Sequence, residues 1–287
     1  MFRLTVIIVE YQSIKDVREC IDSLTDVAHG VQLTPLVVSN SEYSQEDLEG
    51  YKQEFGPVAF HSTGTNSGYA GGVNYGLQLS PSADFYLIMN PDARWQRGSL
   101  ASILSSLDKQ PEVGILGPAI FDESGDRQPT ARAFPSPLTV FLTRTPLVHT
   151  RAGQMEWQRY LFSNMPPTDA AMSPCCADWV SGGAMFLSQT AVDRIGRMDE
   201  RYFMYMEDVD WCRSAWSAGL QVIHDPRWEV QHSGRHASSA PGTFRVLNKQ
   251  TWTHIWSALL YYIKWLRFPA GWTSRPNRLA RKRTETV

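Results

Sequence analysis

Two acids stand side by side at Glu207-Asp208, where the aromatic-rich run Tyr202-Phe203-Met204-Tyr205-Met206 breaks off. A helical pattern follows, with Trp211, Ala215, Ala218 and Leu220 apolar and Gly219 near the stop. The spacing predicts both carboxylates at or near a helix N-terminus, beside aromatic surface. Acids in that position complement the positive end of the helix dipole, which by itself explains many such pairs. They are also groups from which proton transfer is built. A further acid, Asp92, follows the run Asp84-Phe85-Tyr86-Leu87-Ile88-Met89 within Asn90-Pro91-Asp92, and His232 closes Trp228-Glu229-Val230-Gln231. An aspartate after proline forms turns readily, and a lone strand histidine is often structural. What these residues do depends on the elements that hold them.

Leu4 to Val9 is a continuous apolar, β-branched run, the pattern of a strand buried on both faces of a parallel sheet. Ser13 can cap the next segment, in which Val17, Cys20, Ile21 and Leu24 share one helical face. Leu36 to Asn40 and Val58 to His61 read as short strands. The stretch Asn66 to Gly76 opens another helix through glycines, and Asp84 to Met89 is a strand again. Strand alternating with helix predicts a doubly wound α/β sheet with ligands beyond the carboxyl ends of the strands, where Asp92 falls. Ser99 to Leu107 is a short helix. Seven prolines between residues 122 and 178 predict loops and short helices covering one side of the sheet. Trp179 to Leu187 returns to strand character around Gly182-Gly183, and Ser188 to Ile195 is helical. Gln221 to His224 and Trp228 to His232 are the last two short strands.

At 287 residues the chain suits one large domain, or one domain with appendages. Its 43% hydrophobic and 20% charged residues exclude collagenous and low-complexity classes. The net charge of -2 conceals an asymmetry: from Arg245 onward nine Lys/Arg face only Glu285, so this tail is +8 and the preceding chain -10. A basic tail on an acidic body points to a polyanion, and without a nucleic-acid-binding motif a membrane surface is favoured over nucleic acid. Trp252, Ile255, Trp256, Leu259, Ile263 and Leu266 form an apolar helical stripe, with Tyr261, Tyr262 and Trp265 alongside. It is too short and interrupted to span a bilayer. Beside Lys264, Arg267, Arg275, Arg278, Arg281, Lys282 and Arg283 it suits a helix lying on an anionic surface, core packing and pairing with a second copy being its other uses. Cys20, Cys175, Cys176 and Cys212 lack metal-ligand spacing and read as reduced thiols of a cytosolic protein. The N-terminus runs straight into the first strand, with no signal-peptide pattern.

Four blocks in order resemble family 2 glycosyltransferases of the GT-A fold, and among them the bacterial rhamnosyltransferase-like group. They are Val6-Ile7-Ile8-Val9-Glu10-Tyr11, Asn66 through Gly76, Leu87-Ile88-Met89-Asn90-Pro91-Asp92, and Met198-Asp199-Glu200 through Met206-Glu207-Asp208-Val209-Asp210 followed by His232. The resemblance covers about residues 4 to 240. It implies a glycosyltransferase domain over residues 1–240 and a helical, basic extension over 241–287. It also implies an inverting, metal-dependent transfer from a nucleotide-diphosphate sugar, rhamnose-like, to a cell-surface glycan or lipid-linked acceptor. The donor would be a dTDP- or UDP-sugar, and the enzyme cytoplasmic and peripheral on the inner face of the membrane. By resemblance Asp208 is the base, and Asp92, which matches the last residue of the family's DxD motif, holds Mg2+ or Mn2+ with His232. Tyr11, Ser39, Asn66, Gly71, Asn74, Asn90 and Asp92 would meet the donor. Trp179, Gly182, Gly183 and Glu207 would meet the acceptor, and Arg132 either binds phosphate or is structural.

Two departures fall in the base pocket: Ser39-Asn40 stands where relatives usually have an aspartate, and Glu10 where they have Thr or Asn. They leave two alternatives open. A non-catalytic sugar-nucleotide-binding scaffold would account for the altered pocket. A nucleotidyltransferase on the same fold would need a basic phosphate loop near the first strand, where residues 10–16 offer only Lys15.

Overall fold

A computed structural model describes residues 1–56, 58–80, 83–143, 145–161, 173–233 and 249–266. Its strands in chain order are β1 (Phe2–Glu10), β2 (Val31–Ser39), β3 (Ala59–Ser62), β4 (Phe85–Met89), β5 (Ala93–Arg97), β6 (Val113–Phe121), β7 (Arg127–Gln128), β8 (Ala131–Arg132), β9 (Cys175–Cys176), β10 (Trp179–Val180), β11 (Ala184–Ser188) and β12 (Gln221–His232). The helices are α1 (Ile14–Thr25), α2 (Gln45–Phe55), α3 (Gly68–Leu79), α4 (Leu100–Asp108), α5 (Pro137–Thr143), α6 (Arg151–Tyr160), α7 (Gln189–Ile195), α8 (Glu207–Ser217) and α9 (Lys249–Leu266).

The main sheet runs β3-β2-β1-β4-β11-β6-β12-β5, with β7 and β9 on β6 and β12, while β8 and β10 form a separate pair. β1, β2, β3 and β4 are parallel, β11 runs against both β4 and β6, and β12 is parallel to β6. This is the mostly parallel, doubly wound α/β sheet expected. Its period-two pattern divides the core. Leu4, Val6 and Ile8 of β1 face α1 and α4, and Ile7 and Val9 face α3, α7 and α8. Both faces are dry, which is why β1 reads as an unbroken apolar run.

Several elements differ from expectation. Gln221–His232 is one twelve-residue strand rather than two; its register on β6 slips between Asp225 and Glu229, where Pro226 cannot donate to the ladder. Trp179 to Leu187 is split, because Ser181-Gly182-Gly183 turns the chain out of the β8–β10 pair and into the main sheet. Ser13 makes no side-chain cap to α1; its backbone N–H instead donates to Glu10 Oε2 at 3.1 Å. The helix expected within 241–287 is two-sided: Ala258, Tyr261 and Trp265 enter the core behind α8, whereas the apolar stripe faces outward. Lys264 is within α9, but the other basic residues proposed to touch a membrane, from Arg267 on, lie outside the described residues.

The glycine-rich opening of α3 has a packing cause. Gly68 has φ +75°, and a Cβ there would sit 2.4 Å from the Phe203 carbonyl oxygen, which accepts the Tyr69 N–H at 3.0 Å. Gly68→Ala is expected to lower stability by about 2 kcal/mol, combining left-handed strain with overpacking. A shifted denaturation midpoint at unchanged m-value checks this.

Candidate active site

Asp92 owes its position to strand pairing. β5 runs antiparallel to β12 with Ala93 opposite His232, so the turn after β4 meets the end of β12. Asp92 Oδ1 lies 3.1 Å from His232 Nε2, and Ser233 Oγ donates to Oδ2 at 2.9 Å. Asn90 Nδ2 is also 3.1 Å from His232 Nε2, so that nitrogen donates to Asp92 when protonated and accepts from Asn90 when not. Burial alone would raise the Asp92 carboxyl, but the hydrogen bond and charge of His232 and the Ser233 hydroxyl outweigh it and draw it down to about 2. Asp92 is thus a buried, ionised oxygen donor facing an imidazole. Among the described residues no group of three or more His, Cys, Asp or Glu side chains gathers to cage a metal on its own.

Glu207 and Asp208 open α8 behind an unusual turn. Tyr205 and Met206 both have positive φ, 70° and 71°, although neither is glycine. Each such residue costs roughly 1–3 kcal/mol unless its surroundings hold it. Here the Ser257 hydroxyl of α9 donates to Met204 O at 2.8 Å, Tyr205 packs on His254 at 5.1 Å between ring centres, and Met206 is buried. The chain therefore enters α8 from the side, and its first two carboxylates project into a cleft of about 400 Å³.

Asp208 Oδ2 accepts the Gly182 N–H at 3.0 Å and Oδ1 its neighbour Val209 N–H at 2.8 Å. Asp208 keeps solvent access through the cleft while protein surrounds its carboxyl elsewhere. Burial raises its affinity for a proton more than those N–H groups and the Arg132 charge lower it. Glu207 is buried, and its Oε2 has no hydrogen-bond partner. Burial first, and the Asp208 charge second, push it up to about 8. At neutral pH Glu207 therefore keeps its proton, so the adjacent pair does not hold two charges.

The turn between β10 and β11 joins the two acidic centres. Asn90 N–H donates to Gly183 O at 3.1 Å, and Tyr69 Oη donates to Gly182 O at 3.0 Å. A Cβ on Gly183 would approach the His232 ring at 3.8 Å, and one on Gly182 would lie 3.3 Å from Asp208 Cβ. Burial, then the charges of Glu207, Asp208 and Asp92, raise the Tyr69 hydroxyl, so all three acids lie within electrostatic reach of one phenol. Trp179 lines the cleft, with its Nε1 donating to Ala133 O at 2.9 Å.

The remaining expected residues are dispersed. Tyr11 is 46% exposed at the end of β1. The Ser39 hydroxyl is committed to Glu10 Oε1 and accepts the Ser41 N–H at 3.1 Å. Asn66 Oδ1 accepts the Gly68 N–H at 3.0 Å at the start of α3. Gly71 and Asn74 border a second, polar pocket with Arg197 and Glu200. The Asn74 amide is spent pinning Met198, which it meets at 2.8 and 2.9 Å, and Glu200 at 2.8 Å. Sequence reasoning missed Tyr69, although it lies within the glycine block, and Asp210, two residues past the acid pair. Asp210 is buried and takes Lys264 Nζ at 2.7 Å and Trp265 Nε1 at 2.7 Å, tying α8 to α9.

Comparison with known proteins gives this arrangement a family. Residues 5–166 match the model of glycosyl transferase family 2, and the chain belongs to that family. It is 31% identical over 239 residues, 78% of this chain and 74% of the relative, to the N-acetylglucosaminyl-diphospho-decaprenol L-rhamnosyltransferase of Mycobacterium tuberculosis. It is 25% identical over 222 residues, 76% of this chain and 63% of the relative, to the low-salt glycan biosynthesis hexosyltransferase Agl10 of Haloferax volcanii. Among solved structures, GalNAc-T7 with UDP, GalNAc and Mn2+ superposes with a TM-score of 0.56 at 13% identity, over 81% of this chain and 44% of that one. S. aureus TarS (residues 1–349) gives 0.51 at 15% identity, over 81% and 60%. The fold is that of the GT-A glycosyltransferases, and the protein is a glycosyltransferase.

The raised Glu207 has a thermodynamic sign. Between its ordinary value of 4.5 and about 8 the folded chain holds a proton that the unfolded chain has lost, so this group makes stability fall as pH rises through that window. Glu207→Gln should gain melting temperature relative to the parent steadily across it, and the gain should level off above. A difference independent of pH contradicts the assignment. Lys264→Met, which leaves the buried Asp210 without its cation, should destabilise the protein by about 3 kcal/mol, read by chemical denaturation.

Proposed function

We propose that this protein transfers a rhamnose-like sugar, with inversion, from a nucleotide-diphosphate donor to a lipid-linked acceptor, with Asp208 as base. The observation that carries this reading is the Gly182-Gly183 turn, which meets Asp208 through the Gly182 N–H on one side and Asn90 and the His232 ring through Gly183 on the other. Inverting transfer needs a carboxylate on the acceptor side and charge compensation on the diphosphate side. The acceptor hydroxyl gives its proton to Asp208 as its oxygen bonds to the anomeric carbon. The bond from that carbon to the diphosphate oxygen breaks, and the nucleoside diphosphate leaves with the electron pair. The N–H groups of Gly182 and Val209 hold the Asp208 carboxylate in one orientation, and the desolvation that raises its proton affinity strengthens it as a base. Glu207, protonated, offers a hydrogen bond to an acceptor oxygen and adds no second charge.

A hard divalent cation, Mg2+ or Mn2+, fits the donor set of one ionised carboxylate and one imidazole, Asp92 and His232. Asp92 and His232 would be the protein groups that hold it. When bound, it would neutralise charge developing on the departing diphosphate. The diphospho-decaprenol in the mycobacterial relative's name supports a lipid-linked acceptor, and Mn2+ in the GalNAc-T7 complex is in keeping with a divalent cation. A UDP- or dTDP-sugar is the donor class, and a cell-surface glycan the product.

Membrane contact suits the outer face of α9. Trp252, Trp256 and Leu266 are 58%, 60% and 63% exposed, and Ile255, Leu259 and Ile263 continue the stripe without a charge. Among the described residues no helix is long and apolar enough to cross a membrane. A stripe of this kind, followed in sequence by the cluster from Arg267 to Arg283, fits an anionic leaflet.

Asp208→Asn should lower kcat by roughly 10²–10⁴-fold, leaving donor affinity nearly intact by calorimetric titration of UDP- and dTDP-sugars in Mn2+. Intact turnover in that variant would remove the base from Asp208. Trp252→Ser/Trp256→Ser should abolish co-sedimentation with phosphatidylglycerol vesicles without changing the fold. Equal sedimentation of the variant, or dimerisation through α9 in its place, would count against lipid contact.

A further inference from the structure

We propose that Arg132 is an anion clamp for the acceptor, gripping the diphosphate through which a lipid-linked sugar is attached. This rests on the glycosyltransferase reading above and identifies the part of the acceptor that the cleft recognises. Arg132 lies on β8 opposite Trp179 of β10. That register puts its guanidinium 5.0 Å from the Trp179 ring centre and 5.8 Å from that of Tyr160. Its Nε donates to Pro129 O at 2.7 Å, which fixes the plane of the group. Among the described residues its terminal nitrogens have no acceptor. A guanidinium laid on aromatic faces with its outer N–H groups free is prepared for a bidentate oxyanion.

The setting decides between a structural and a binding role. Arg132, Glu207 and Asp208 line the same cleft, and the Arg132 charge is felt at the Asp208 carboxylate. Yet the two do not pair, because Asp208 takes its hydrogen bonds from Gly182 and Val209. A merely structural arginine beside a carboxylate would pair with it, leaving the base less basic. Here the positive group is held away from the base by its aromatic seat, so the cleft offers a proton acceptor and an anion site separately. A sugar diphosphate has the matching features, a hydroxyl at one end and two phosphates at the other.

The remaining walls suit the lipid beyond the phosphates. Val140 of α5, Trp157 of α6 and Leu161 are apolar lining residues, and His254 closes the cleft from α9. Leu138 and Phe141 of α5 are 54% and 55% exposed, so the helix that lines the cleft also presents apolar side chains outward. A polyprenyl chain leaving Arg132 can pass along this surface toward the bilayer side marked by α9.

Two acceptors with the same sugar separate the possibilities, one on a polyprenyl diphosphate and one an uncharged alkyl glycoside. Arg132→Gln should lose about 10- to 100-fold more kcat/KM on the diphosphate acceptor than on the glycoside, mainly through KM, matching one charge-assisted contact. Arg132→Lys should recover part of that loss, and the melting temperatures of both variants verify folding. Equal losses on both acceptors, or none on either, overturn the proposal. A second measurement is independent of turnover: farnesyl diphosphate in EDTA should quench tryptophan fluorescence of the parent, with at least tenfold weaker binding in Arg132→Gln. If the parent transfers no sugar but binds farnesyl diphosphate through Arg132, the transfer reading fails and the anion site stands. No binding by the parent, or equal binding by the variant, removes the site.

Discussion

Crowding of like charge is the constraint to which the rest of this site answers. Asp92, Glu207 and Asp208 all act on the Tyr69 hydroxyl, one from the turn after β4 and two from the start of α8. Three bare charges there would repel strongly at low dielectric. The fold answers each differently. Asp92 is compensated by His232 and Ser233 and remains ionised. Glu207 has no partner at Oε2 and keeps its proton instead. Asp208 is steadied by two backbone N–H groups and by the Arg132 field, which supply positive potential without a cation in contact. Environment thus sets three similar side chains apart: one ionised beside an imidazole, one holding its proton, and one oriented by backbone N–H groups at the cleft.

Holding that arrangement requires a strained turn, and α9 packs directly against it. Tyr205 and Met206 adopt a conformation that side chains rarely favour. Released, they would relax and swing the start of α8 away from the Gly182 turn. Ser257 and His254 press on this turn from α9, while Lys264 and Trp265 grip Asp210, two residues past Asp208. Arg213, stacked among Phe134, Tyr261 and Trp265, extends the same joint. The inner face of α9 therefore combines core packing by Ala258, Tyr261 and Trp265 with specific polar contacts, and the outer face is an exposed apolar stripe. A single helix joins the exposed stripe to the turn that positions Asp208.

Much of this was legible because it rests on local pattern. The alternating faces of β1 read as an unbroken apolar run, Asp92 fell at a strand end, and the acid pair sat at a helix start. Elements whose signal is tertiary were not legible. α2 has an amphipathic signal too weak to notice, although Ser44 and Asp47 form a capping box that marks its start. β6 was hidden by Gly114, Gly117 and Pro118, yet a Cβ on Gly117 would lie 2.7 Å from Val180, so that glycine belongs to sheet packing. β5 reads as polar because it is an edge strand carrying Arg94, Gln96 and Arg97. Asn74 lies in a block that resembles a donor site, but its amide is used up by a segment more than a hundred residues away, which no spacing rule reveals.

The two departures in the base pocket are one change seen twice. Glu10 and Ser39 are register partners on adjacent parallel strands, and the Glu10 carboxyl is fully buried at the end of β1. Its oxygens accept from the hydroxyls of Ser39, Ser41 and Tyr43 and from the Ser13 N–H. A buried carboxyl needs donors on every side. An aspartate at position 39 would replace the nearest of these with a second acid and leave two carboxyls opposed across a strand pair. Given glutamate at 10, a hydroxyl at 39 is what the packing permits. The carboxyl at this strand pair stands on β1, and the smaller hydroxyl residue opposite it on β2 is its hydrogen-bond donor. The Glu10 carboxyl is thus buried with a full set of donors, which argues against decay and weakens the reason for reading the chain as a scaffold.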